Sequence, residues 1–162
     1  TEKDTFFRHQ LLHGVVHDEG AAMMDGVSAN AGLFSSARDL AKLWQMLLNG
    51  GSYGDQQFFQ PETVETFTRY QYPETGNRRG LGFDKPLLEY DENLSSVAKA
   101  ASPLSFGHSG YTGTLVWADP EHDILFIFLS NRVYPSRLRR AIYTLSIRPR
   151  IMEKVYATLI DE

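Results

Sequence analysis

The spacing of apolar positions changes from one stretch of the chain to the next, and the changes mark out elements. Over 36–51, Leu40, Leu43, Trp44 and Leu47 recur at i, i+3, i+4 and i+7, which puts them on one helix face. Ser36 is a suitable N-cap, and Asp39 three residues on completes a capping-box-like pair, with Asp where Glu is usual. "NGG" at 49–51 ends the helix with residues that tolerate left-handed φ. "PETVETFTRY" at 61–70 predicts a second helix, with Pro61 in its first turn. "QYPETGNRRG" reads as a turn-rich loop, "LGFD" at 81–84 as a short strand, and 85–104 as an irregular excursion.

Further on, the pattern turns to β. "GTLVWAD" at 113–119 and "ILFIFLSN" at 124–131 are rich in aliphatic and aromatic residues and are joined by "PEHD", a turn-forming cluster. Residues 105–109 are predicted to pair with this hairpin as a third strand. The chain closes with "RPRIMEKVYATLI", where Ile151, Val155 and Leu159 form a helical stripe and Pro149 sits near the start. Trp44 and Trp117 lie on apolar faces and are assigned to the core. The sum is an α+β domain: a small antiparallel sheet of about three strands flanked by helices. Residues 1–34 show little periodicity, and their Gly, Ala and Asp content suits ordered loop.

Composition narrows the function classes. The chain has 162 residues, long enough for one domain with a real core, and a net charge of −4. A nucleic-acid partner is not expected, since a binder would present a basic face. The one basic cluster, Arg137, Arg139, Arg140, Arg148 and Arg150, is interleaved with Leu, Ile and Tyr and reads as solvated helix faces. With no cysteine, disulfides and thiolate metal sites are excluded. No apolar run approaches the ~20 residues of a membrane span, and the polar first residues, "TEKDTFFRHQ", do not form a signal-peptide pattern.

The stretch with candidate chemistry is "FGHSGYTGT", residues 106–114, where three glycines and four hydroxyl side chains surround one histidine. Glycines beside a strand let backbone N–H groups approach a ligand closely. An oxyanion hole requires such N–H groups, and a neighbouring histidine can hold a carboxylate or move a proton near neutral pH. Taken alone, the stretch reads rather as a Gly-rich turn with a packed imidazole, since short motifs of this kind arise often by chance.

A basic–hydroxyl–Gly triplet followed by a strand, a tight turn, a second apolar strand and a terminal helix resembles the serine β-lactamase and penicillin-binding-protein-like superfamily, in its class C and esterase-like branch. His108-Ser109-Gly110 is similar to that branch's His-x-Gly motif, "GLFSSARDLAKLWQMLLNGG" at 32–51 to one of its helix regions, and "VHDEGA" at 17–22 to a preceding loop. The resemblance extends over nearly the whole chain. It implies acyl transfer on an ester, amide or cell-wall-derived substrate, with no cofactor. His108 would serve the substrate or the proton network, the Tyr111 N–H would be one oxyanion donor, and Ser109, Gly110, Thr112 and Gly113 would line the substrate. It also implies an exported, periplasmic bacterial setting. Similar domains are found fused to glycosidases, and "LSNRVYPSR" resembles the tail of those proteins.

The family's nucleophile belongs to a Ser-x-x-Lys motif near the domain's N-terminus. The one such string here, Ser96-Val97-Ala98-Lys99, lies in the irregular excursion and is read as coincidence. Tyr-x-Asn is also missing, and Ser28-Ala29-Asn30 has only a Ser-x-Asn likeness. The expectation is therefore a C-terminal half without its nucleophile, inactive alone, with an exposed sheet edge that would recruit the upstream half or a second copy. Two alternatives stand beside it. One is a metal site on His13 and His17, at i, i+4 with Asp18 and Glu19 following, although Gly14 and two valines disfavour a helix there. The other is a binding or docking module without chemistry. His9 and His122 read as isolated surface residues.

Overall fold

A computed structural model describes residues 1–160. The elements run in chain order as α1 (Glu19–Ala22), α2 (Ala37–Leu48), the two-residue strands β1 (Ser52–Tyr53) and β2 (Gln56–Gln57), and α3 (Pro61–Thr68). Then come β3 (Phe106–Ser109), β4 (Leu115–Asp119), β5 (Ile124–Phe128), α4 (Ala141–Thr144) and α5 (Ile147–Ile160). β3, β4 and β5 form one antiparallel sheet in that order, with His108 opposite Val116 and Trp117 opposite Phe126. The expected α+β architecture is the one observed. Among the described residues no helix is long and apolar enough to cross a membrane.

All five residues of β4 are buried, because helices cover both faces of the sheet. Leu115 and Trp117 point to one side and pack with Ile124, Phe126, Met152 and Tyr156, so α5 lies on that face. Val116, Ala118 and Phe106 point to the other, against Trp44 and the half-buried Leu40 and Leu47 of α2. A Cβ on Gly107 would stand 2.2 Å from the Trp117 ring, so glycine is what lets the indole lie across β3.

Several expectations need correction. The Ser36 hydroxyl accepts from the Asp39 N–H at 3.2 Å, as the capping pattern requires, but Leu43 is 49% exposed and outside the buried stripe. The second helix stops at Thr68, where the Gln71 side chain donates to the carbonyls of Thr66 and Arg69. "LGFD" forms no strand beyond a single bridge, Asp84 with Gly107 on the outer side of β3. On α5 the stripe is displaced: Met152 and Tyr156 are buried, whereas Ile151 and Leu159 are exposed. Those two line an apolar groove with Ile147 and Val155, rimmed by Arg150 and Lys154. The basic cluster is not all solvated either. Arg148 is buried and donates to the Thr114 carbonyl, and Arg137 binds two carboxylates.

Two buried polar centres tie the sheet to its surroundings. Asp119 accepts from the Ser102 N–H (2.9 Å) and hydroxyl (2.6 Å), the Tyr156 hydroxyl (2.6 Å), the Glu121 N–H (3.1 Å) and His122 Nδ1 (3.0 Å). His122 is therefore not isolated. Lys85, 2% exposed, donates to the Leu104 carbonyl at 3.0 Å and lies 4.9 Å from the Tyr70 ring centroid. Burial pulls the Lys85 ammonium down to about 8 and pushes the Tyr156 hydroxyl well up from its ordinary value of 10.0. Between pH 8 and 10.5 the unfolded chain then binds more protons at Lys85 than the folded one, so this residue makes stability rise with pH. Above pH 10.0 the folded chain holds its Tyr156 proton while the unfolded chain loses it, and the sign reverses. Urea unfolding is expected to show a rise above pH 8 that Lys85→Met abolishes. A rise that persists in the variant excludes Lys85 as its source.

Candidate active site

Ser109, the last residue of β3, leads into a loop closed by two backbone bonds, Gly110 N–H to the Thr114 carbonyl (2.9 Å) and Gly113 N–H to the Gly110 carbonyl (3.0 Å). A Cβ on Gly110 would meet the Thr114 hydroxyl at 2.4 Å. Gly113 has φ +113°, and a Cβ there would meet the Ser130 hydroxyl at 2.6 Å. Position 113 thus requires glycine, and any side chain at position 110 would have to displace the Thr114 hydroxyl. The segment after β5 holds the loop from behind. Ser130 donates to the Gly113 carbonyl at 2.9 Å, the Arg132 N–H to the Thr112 carbonyl at 2.8 Å, and Arg132 Nε to the Tyr111 carbonyl at 2.8 Å.

This loop forms one wall of a cleft of about 790 Å³. His108, Ser109, Gly110, Tyr111 and Thr112 line it, with Val15 to Glu19 and Asn30 to Ser35 on the facing side. Gly113, expected to contact substrate, is buried behind the loop and does not line the cleft. The His108 ring is exposed, and its one hydrogen bond is between Nδ1 and the Ser109 carbonyl at 3.0 Å. A carbonyl only accepts, so Nδ1 is the donor and the neutral ring keeps the Nε2 lone pair available. The Tyr111 N–H has no hydrogen-bond partner among the described residues. A free backbone donor beside an available imidazole is what an acyl-transfer site needs on its oxyanion side.

The nucleophile side is different. Among the described residues no serine hydroxyl is hydrogen-bonded to a histidine or lysine; the bonded ones go to carboxylates, amides and carbonyls. Ser96 and Lys99 lie outside the cleft, in a non-helical segment whose Val97 and Ala98 pack on the α5 face of the sheet. Asn30 lines the cleft and donates to Asp18 at 3.1 Å, while Ser28 bonds Asn30 from outside it.

The metal reading of His13 and His17 fails on geometry. Gly14 has φ +68°, no helix forms over 13–17, and His13 is exposed. His17 instead places Nε2 2.7 Å from the Glu2 carboxylate, while Asp18 caps α1 by accepting from the Ala21 N–H. Among the described residues no cluster of three metal-binding side chains is found. Glu2, 3% exposed, also receives the Arg137 N–H (2.6 Å) and Nη2 (2.8 Å). Burial would push the Glu2 carboxyl up, but the bonds from Arg137 and His17 outweigh it, and its pKa lies below the usual value. This cluster was missed because Glu2 and Arg137 are 135 positions apart and neither sits in a local motif.

A family model for Beta-lactamase matches residues 5–148, and the chain belongs to that family. A Salmonella enteritidis PT4 protein named "Putative D-alanyl-D-alanine carboxypeptidase" is 43% identical over 129 residues, which cover 77% of this chain and 28% of that protein. A counterpart of the same name in Salmonella newport matches to the same extent. The crystal structure of a beta-lactamase from Mycobacterium bovis superposes with a TM-score of 0.57 at 23% identity, covering 80% of this chain and 46% of the other, which shows the shared fold. The chain thus spans a little over a quarter of the curated relatives it matches and about half of the solved structure.

Proposed function

We propose that this chain is the C-terminal, oxyanion-side part of a serine acyl-transfer hydrolase, acting on ester or amide substrates that include cell-wall-derived peptides. The observation that carries the reading is the glycine-closed loop with an unpartnered Tyr111 N–H beside an available His108 Nε2, in a cleft holding no serine paired with a base. The serine would attack the carbonyl, form an acyl-enzyme and give it up to water. In this reading an upstream segment contributes that serine, and the chain is inactive without it. The partial coverage of the relatives supports this, as do an open sheet edge and exposed apolar side chains on α5. The outer edge of β5 has no strand partner among the described residues, and on α5 Ile151 and Leu159 are exposed beside Val155, which packs on the core. An unpaired edge recruits strands, and a second copy of this chain would compete for the same place. We further place the parent protein at the bacterial cell envelope, in keeping with the D-alanyl-D-alanine substrate in the relatives' names.

The test is a chromogenic ester and cephalosporin assay on this chain, with a serine-directed covalent probe located by mass spectrometry. The expected result is neither turnover nor labelling. Labelling of Ser96 with turnover would make the dismissed string the nucleophile and overturn the half-site reading.

A further inference from the structure

We propose that His17 and Glu2 are positioning residues for the Tyr111 peptide: Glu2, clamped by Arg137, orients the His17 ring against the Tyr111 ring and so fixes the loop that presents the Tyr111 N–H. The catalytic meaning of this depends on the acyl-transfer reading, but the coupling itself does not. Every link is short. The Glu2 carboxylate takes Arg137 Nε and Nη2 as a fork, at 3.0 and 2.8 Å to one oxygen, and the same oxygen takes His17 Nε2 at 2.7 Å. An ionised carboxylate only accepts, so His17 Nε2 must be the donor, which fixes the ring's orientation. Arg137 is held in turn by Glu19 at 2.8 Å.

The imidazole stacks on Tyr111, with centroids 5.6 Å apart and planes 26° from parallel. The Arg132 guanidinium is the second neighbour, 4.5 Å from the Tyr111 centroid, and it also holds the Tyr111 carbonyl. Side chain and carbonyl of Tyr111 are thus both constrained, while its N–H is left without a partner. That is the arrangement a preorganised oxyanion donor requires, since the stabilisation depends on a dipole that need not reorient during reaction. His17 is also held at its carbonyl. Arg8 donates to the carbonyls of Val16 (2.7 Å) and His17 (2.5 Å), and Asp4 holds Arg8 Nε at 3.3 Å. A network that only docked residues 1–19 onto the rest of the chain would have no need of the stack. This difference is what the test reads.

Amide hydrogen exchange by NMR on this chain, without substrate, compares wild type with His17→Ala, His17→Phe and Glu2→Gln. The reporters are the Gly110, Gly113 and Arg132 amides, which close and anchor the loop. Positioning predicts that they exchange about tenfold faster in His17→Ala, that the β4 amides are unchanged, and that His17→Phe, which restores a stacked ring, recovers most of the protection. Glu2→Gln keeps the side-chain volume and should loosen the same three amides, so it carries the test should His17→Ala fail to fold. Unchanged loop protection in both His17→Ala and Glu2→Gln overturns the proposal. So does a loss spread equally over β4, or a His17→Phe variant that rescues nothing. None of these outcomes depends on turnover, so the coupling can fail while the acyl-transfer reading stands, and the reverse.

Discussion

Asp119→Ala is expected to lower the unfolding free energy by ~3–5 kcal/mol, the range for removing one member of a buried charged network. Urea unfolding at pH 7 with a fluorescence readout would measure it. Asp119 is fully buried at the end of β4, and its two oxygens take five hydrogen bonds. Alanine would leave the Tyr156 hydroxyl and the Ser102 N–H buried without an acceptor, and orphaned donors cost more than the bonds themselves contribute. Against a typical total of ~5–15 kcal/mol, the loss removes from about a fifth to nearly all of the stability. Asp119→Asn should also be costly, because whichever oxygen becomes NH₂ then faces at least two donors. Burial pushes the Asp119 carboxyl up, and the bonds from Ser102, Tyr156 and His122 outweigh that and hold it below its ordinary 3.8. The stabilisation is therefore complete above pH 3.8 and lost as pH falls through the lower folded value. A loss under ~1 kcal/mol would mean that solvent reaches these donors and that the network is not a structural centre.

What could be read from the sequence was whatever is encoded within a dozen residues. The Ser36 cap, the α2 repeat and the β3–β4–β5 meander are local patterns, and each lies where the spacing placed it. α1 and α4 are four residues each and β1 and β2 only two, too short for a period to register. The α5 stripe was misplaced for a different reason. Ile151, Val155 and Leu159 are as regularly spaced as Met152 and Tyr156, and periodicity cannot say which of two apolar faces meets the sheet. The candidate site divides in the same way. Its loop wall is contiguous, 108 to 112, and was visible as a motif. The support behind it joins residue 2 to residue 137, and the buried centre at the other end of β4 joins residue 119 to residue 156, pairings that only the folded chain brings together. The i, i+4 pair His13 and His17 implies a shared face only on a helix, and Gly14, which disfavours a helix in the sequence, turns the chain there.

His108→Ala, in an enzyme assembled with its nucleophile-bearing segment, is expected to reduce turnover by roughly 10²–10⁴, the range for a positioned proton-transfer group. Stability should change by no more than ~0.5 kcal/mol, as for a surface side chain away from caps and cores. The separation of the two effects is what gives the experiment its force. The His108 ring is exposed and its one hydrogen bond is to the carbonyl of its own neighbour, so the fold depends on it little. Its backbone pairs with Val116 and follows Gly107, whose missing Cβ makes room for Trp117, so the strand remains in place when the ring is removed. Position 108 thus has a rigid main chain and a free side chain, the combination expected where rigidity aims a group and chemistry keeps its tip unengaged. Turnover of a chromogenic ester and the melting temperature of the same preparation would be compared. Loss of turnover with an unchanged melting temperature assigns the imidazole to the reaction. Unchanged turnover removes His108 from the mechanism and leaves the Tyr111 N–H as this chain's contribution to the chemistry.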